Sequence, residues 1–140
     1  MNGSHKVFPR SLSVQLLLVD IGFIVYWTLT ALHAIPTAWA FKDYDLPQVV
    51  AWNWSFLPLD AVLSATGLAA LWQARKGDVQ LARCLALISL SLTHASGLMA
   101  ISYWAIAGDF DLGWWLPNLW LMLFPLPYLV LIARRMAQPQ

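Results

Sequence analysis

The sequence predicts an all-α integral membrane protein, a four-transmembrane-helix bundle with both termini cytoplasmic. Three observations predict it. The 140 residues are 60% hydrophobic and only 11% charged, with a mean hydropathy of +0.63, whereas an ordinary soluble domain is about 25% charged. A globule this small has too much surface for its volume to hide that apolar excess, so its solvent must be lipid. Four apolar segments each approach the length of about 20 residues needed to cross roughly 30 Å of hydrocarbon. Finally, the basic residues are sorted to one side of those segments.

The first span covers residues 12–35 and follows Lys6 and Arg10. It is expected to be retained rather than cleaved as a signal peptide. It is too long, carries Asp20 inside, and leads to the bulky His33 and Trp39 instead of a small-residue cleavage site. A loop with Pro36, Lys42, Asp43, Asp45 and Pro47 leads to the second span, 49–72. The short basic loop 75–78 precedes the third, 83–107, and the acidic turn 108–113 precedes the fourth, 114–133. Pro58 interrupts the second span, and Pro125 and Pro127 the fourth; each removes an amide donor and tends to kink a helix. The whole chain, 1–140, reads as a single domain.

Lys6, Arg10, Arg75, Lys76, Arg83, Arg134 and Arg135 are seven of the eight basic residues, and all flank one end of the spans. Lys42 stands alone at the other, among Asp43, Asp45, Asp109 and Asp111. Lys and Arg are retained on the cytoplasmic face, which puts both termini inside and the chain in the cell's inner (plasma) membrane. Trp39, Trp52, Trp54, Trp114 and Trp115 fall at the outer ends, where amphipathic rings sit among headgroups. A net charge of +1 with no basic cluster beyond pairs excludes a nucleic-acid footprint. The lone Cys84 cannot close an intrachain disulfide, and no Cys/His spacing or cofactor motif is present. No metal and no cofactor are expected.

An ionisable group inside a span costs roughly 2.5–3.5 kcal/mol on insertion, so such groups face the bundle interior and mark function. Asp20, Asp60 and His94 are three of them, and counting residues from the cytoplasmic ends places them at a common depth. Asn53, Asp60 and Gly67 recur every seven residues on one helical face, with Ser64 beside it; Ser91, His94 and Gly97 suggest a facing stripe. Asn118 adds a polar group from the fourth span. Trp27 and Trp54, with Tyr26, offer aromatic faces to a cation. The expected ligand-binding set is therefore Asp20, Asp60, His94, Asn53, Asn118, Trp27 and Trp54. The same polar layer could instead lock helix register through interhelical hydrogen bonds.

Several runs carry a resemblance: Asp20-Ile21-Gly22-Phe23, Ala51-Trp52-Asn53-Trp54-Ser55-Phe56, Pro58-Leu59-Asp60 and Trp114-Trp115-Leu116-Pro117-Asn118-Leu119. They resemble the YvaD-like family of small bacterial membrane proteins over most of the chain, a likeness that implies the membrane fold and carries over no activity. A fainter likeness, in the placement of Asp20, Asp60 and the run 124–128, is to the emopamil-binding-protein (EXPERA) superfamily. It implies an intramembrane pocket for a sterol-like amphiphile and an isomerase-like activity. Three roles follow as expectations: a pocket for a small apolar or cationic amphiphile, a proton-coupled dimeric transporter using Asp20, or an accessory subunit of a larger membrane complex. Membrane lipid is the one partner common to all three.

Overall fold

A computed structural model describes residues 7–36 and 43–137. Lys6, Trp39 and Lys42, used above to argue sidedness and the aromatic belt, lie outside the described residues. Six helices follow in order: α1 (Arg10–Ala31), α2 (Pro47–Trp54), α3 (Leu57–Lys76), α4 (Val79–Ala107), α5 (Leu112–Leu123) and α6 (Pro125–Ala137). They pair into four rods long and apolar enough to cross a membrane, because α2 runs on into α3 and α5 into α6. Each interruption sits at a proline expected to kink its span. Pro58 and Pro125 fall in the first turn of α3 and α6, where a missing amide costs no helical hydrogen bond.

The helix ends follow local chemistry. Asp78 caps α4 by accepting the Leu81 amide at 3.0 Å, and Asp111 caps α5 by accepting the Trp114 amide at 3.2 Å. Gly77 and Gly108, with φ of +86° and +71°, close α3 and α4 in the left-handed conformation that glycine adopts without penalty. Helix α1 ends four residues earlier than the sequence suggests. His33 takes that left-handed position (φ +53°), and the amides of His33 and Ala34 fold back onto the carbonyls of Thr30 and Leu29. A histidine there gives no warning in the sequence.

Helix α4 is the centre of the bundle: α3 packs on one side of it and α5 and α6 on the other, while α1 packs on α3. Among the described residues α1 and α5 make no comparable interface. Near the termini the interior is closed by an apolar core that includes Phe8, Leu12, Leu16, Leu71, Phe124 and Ile132. Arg135 reaches across it to the Val7 carbonyl at 3.4 Å. Outward, the rods expose Val14, Leu18, Ile21, Leu98, Met99 and Val130, the apolar surface a bundle presents to lipid rather than water.

Candidate functional site

Two helix contacts fix the register of the interior. The Trp27 Nε1–H donates to Asp60 Oδ2 at 3.0 Å, and the Ser96 hydroxyl donates to Asp60 Oδ1 at 3.0 Å, so α1, α3 and α4 meet at the Asp60 carboxyl. Asp60 is 2% exposed and Trp27 7%. The hydroxyl of Tyr26, beside Trp27 in the chain, donates to Asn53 Oδ1 at 3.0 Å, tying α1 to α2. Rings gather around this knot. Trp27 stands edge-on to Tyr26 at 5.1 Å and tilts against Trp54 at 5.5 Å, while Trp52 stacks on Tyr103 at 3.9 Å and meets Trp104 edge-on.

A cavity of about 250 Å³ adjoins the Asp60 carboxyl. Trp27, Asn53, Asp60 and Asn118 of the expected set line it, together with Tyr26, Ser96, Trp52, Phe56 and Trp104. Asp60 is its one carboxylate among the described residues, and the rest of the wall is largely aromatic. Asn118 reaches it from α5 while its Nδ2–H donates back to the Trp114 carbonyl at 2.8 Å. Trp54 is not part of the wall; it is 38% exposed and backs Trp27 from behind.

Asp20 and His94 stand elsewhere. Asp20 is fully buried, and its carboxyl packs directly on Gly67, where even a Cβ would overlap it. Gly67 is seven residues along α3 from Asp60, about 10 Å by helical rise. The common layer inferred from residue counting therefore does not form: Asp20 lies two turns closer to the termini than the Trp27–Asp60 contact. Both Asp20 oxygens, and the nearby hydroxyls of Ser64 and Ser89, have no hydrogen-bond partner among the described residues.

His94 turns the other way, toward α5. Its Nδ1 lies 2.6 Å from the Met122 carbonyl and must donate to it. That carbonyl belongs to the last turn of α5, where the helical ladder runs on to the Phe124 amide on Trp120 and is then interrupted at the proline-bearing break. One turn away Gly97 lets the α5 backbone come close; a Cβ there would stand 2.5 Å from the Met122 amide nitrogen and 2.6 Å from the Asn118 carbonyl oxygen. His94 and Gly97 thus clasp α4 to α5.

Ser96 escaped the sequence reading. The stripe Ser91, His94, Gly97 advances by threes and drifts off the helical period; Ser91 is exposed. The buried face is Ser89, Thr93, Ser96, Ala100 and Trp104, which repeats by fours and threes as an α-helix requires. Among the described residues no cluster of His, Cys, Asp or Glu is arranged to hold a metal ion.

The comparisons with known proteins agree on one group. The chain is 46% identical over 127 residues to the uncharacterized protein YvaD of Bacillus subtilis (strain 168), covering 89% of this chain and 93% of that protein. No solved structure matches. A family model, a family of unknown function (DUF5360), matches residues 12–138. Neither match concerns the emopamil-binding-protein superfamily. With nearly its whole length matched, and with Asp60, Trp27 and Asn53 inside the matched region, the chain belongs to the DUF5360 family, a family of unknown function.

Proposed function

We propose that this protein binds a small organic cation with an apolar body, a cationic amphiphile, in the cavity beside Asp60. The observation that carries the reading is the pairing of one carboxylate with an aromatic wall. Asp60 is positioned by Trp27 and Ser96, each of which takes only one acceptor site on its oxygen, so lone pairs remain for a ligand. Tyr26, Trp27, Trp52 and Trp104 surround that point, and aromatic faces attract a desolvated cation by about 2 kcal/mol. A carboxylate buried in a span, away from bulk water, favours a cationic partner over a neutral one.

Binding suits the arrangement better than the other two roles. Isomerase-like proton shuttling would want a second acid or base beside Asp60, and Asp20 is two turns away. A transport path would need an exit toward the termini, where Phe8, Leu12, Leu16 and Phe124 fill the interior. The register-lock role predicts that Asp60 matters to stability alone. The test is titration of decyltrimethylammonium into the protein in lipid nanodiscs. Asp60→Asn, which keeps the size and both hydrogen bonds within reach, should weaken binding by at least roughly tenfold while leaving the melting temperature nearly unchanged. If Asp60→Asn binds as the wild type does, or if it only melts earlier, the cation reading fails.

A further inference from the structure

Leu18 on α1 and Trp120 on α5 belong to two hollows at once. They form part of the wall of the Asp60 cavity, and they also close one end of a shallow groove that follows α1 past Gln15, Val14 and Ser11 to Arg10. The two hollows therefore adjoin at these two side chains. They join on the side where α1 and α5 lack a packed interface, and the rim there is open to the surroundings: Leu18 is 61% exposed, and Gly22 and Pro117 are exposed beside it. Elsewhere its wall is braced by rings and hydrogen bonds, with Trp52 on Tyr103, Trp27 on Trp54, and Tyr26 bonded to Asn53.

Access is thus from the side, at a depth where the surroundings are lipid. The groove is lined by two adjacent rows of one helix, Arg10–Val14–Leu18 and Ser11–Gln15, and by Trp120 of α5. From Trp27 at the cavity to Val14 the helix rises about 20 Å, roughly two-thirds of the hydrocarbon thickness. We propose that the ligand is a single-chain cationic amphiphile drawn from the bilayer between α1 and α5, its head at Asp60 and its chain in the groove along α1. This rests on the cation reading of Asp60 and adds to it the route and the shape of the ligand. The adjoining of groove and cavity at Leu18 and Trp120 is what names the occupant: a chain leaving the head site over the exposed Leu18 enters the groove.

The test compares hexyl-, decyl- and tetradecyltrimethylammonium on the protein in nanodiscs, where partition of each probe into lipid is the same for every variant. Val14→Trp fills the groove from a position 56% exposed, so the fold should accept it. It should weaken tetradecyl binding roughly tenfold, as overfilling a packed site does, and leave hexyl binding unchanged. Asp60→Asn should weaken all three. A second measurement does not depend on that bulky variant: Val14→Cys in a Cys84→Ser background should be protected from maleimide by the tetradecyl probe and not by the hexyl probe. If Val14→Trp leaves tetradecyl binding intact or weakens all three alike, and the cysteine is not protected, the chain does not lie in the groove and the Asp60 reading stands alone. If the wild type binds none of the three, both fall.

Discussion

At the scale of single residues, Gly67 and Asp20 form a contact with no slack. The Asp20 carboxyl occupies the space a Cβ at position 67 would need. Gly67→Ala must push a buried carboxyl aside or separate α1 from α3, an overpacking cost of about 1–3 kcal/mol. A lower melting temperature in detergent should report it, and Asp20→Asn, which keeps the volume, should cost less. This pair also marks the limit of what the sequence discloses. That Asn53 and Asp60 share an inward face is legible because Asn53, Asp60 and Gly67 repeat every seven residues, and Trp27 of the first span lines the same cavity. The depth of Asp20 was not legible, since counting from span ends assumes where each span begins. Helix α1 begins two residues before the expected span and α3 runs four residues past it, a net shift of about 3 Å, and the seating of Asp20 against Gly67 rather than Asp60 accounts for the rest.

At the scale of elements, four spans were readable from hydropathy and loop punctuation, and so were the breaks at Pro58 and Pro125. What those breaks do for the site was not. Asn53 and Asp60 keep a common face toward α1 across the α2–α3 break, and the α5–α6 break leaves a carbonyl that His94 caps. His94 read as part of the ligand layer because its partner is a backbone atom, which no side-chain pattern announces. Gly97→Leu should therefore part α4 from α5 and lower the melting temperature more than His94→Ala, which forfeits one hydrogen bond worth about 1 kcal/mol. Asp78→Ala should cost about 1 kcal/mol through the lost N-cap of α4, measurable in the same melts.

At the scale of the whole molecule, the bundle is packed with apolar side chains near its termini, while α1 and α5 lack a packed interface beside the aromatic cavity. The distribution of charge sets the orientation to be tested. If Arg75, Lys76 and Arg83 are held on the cytoplasmic side, then in a Cys84→Ser background a cysteine at Gln80 should resist an impermeant thiol reagent in intact cells. One at Tyr44 should react. The reverse pattern would invert the bundle and put the cavity in the other leaflet. The central claim is that Asp60 and its rings hold a cation, and it is met most directly by a structure in lipid nanodiscs with decyltrimethylammonium carrying a terminal bromine. The account predicts the ammonium within about 6 Å of a ring centroid beside the Asp60 carboxyl, with the bromine toward Val14. A cavity filled only by rearranged side chains, with the bromine scattered over the lipid-facing surface, would contradict it.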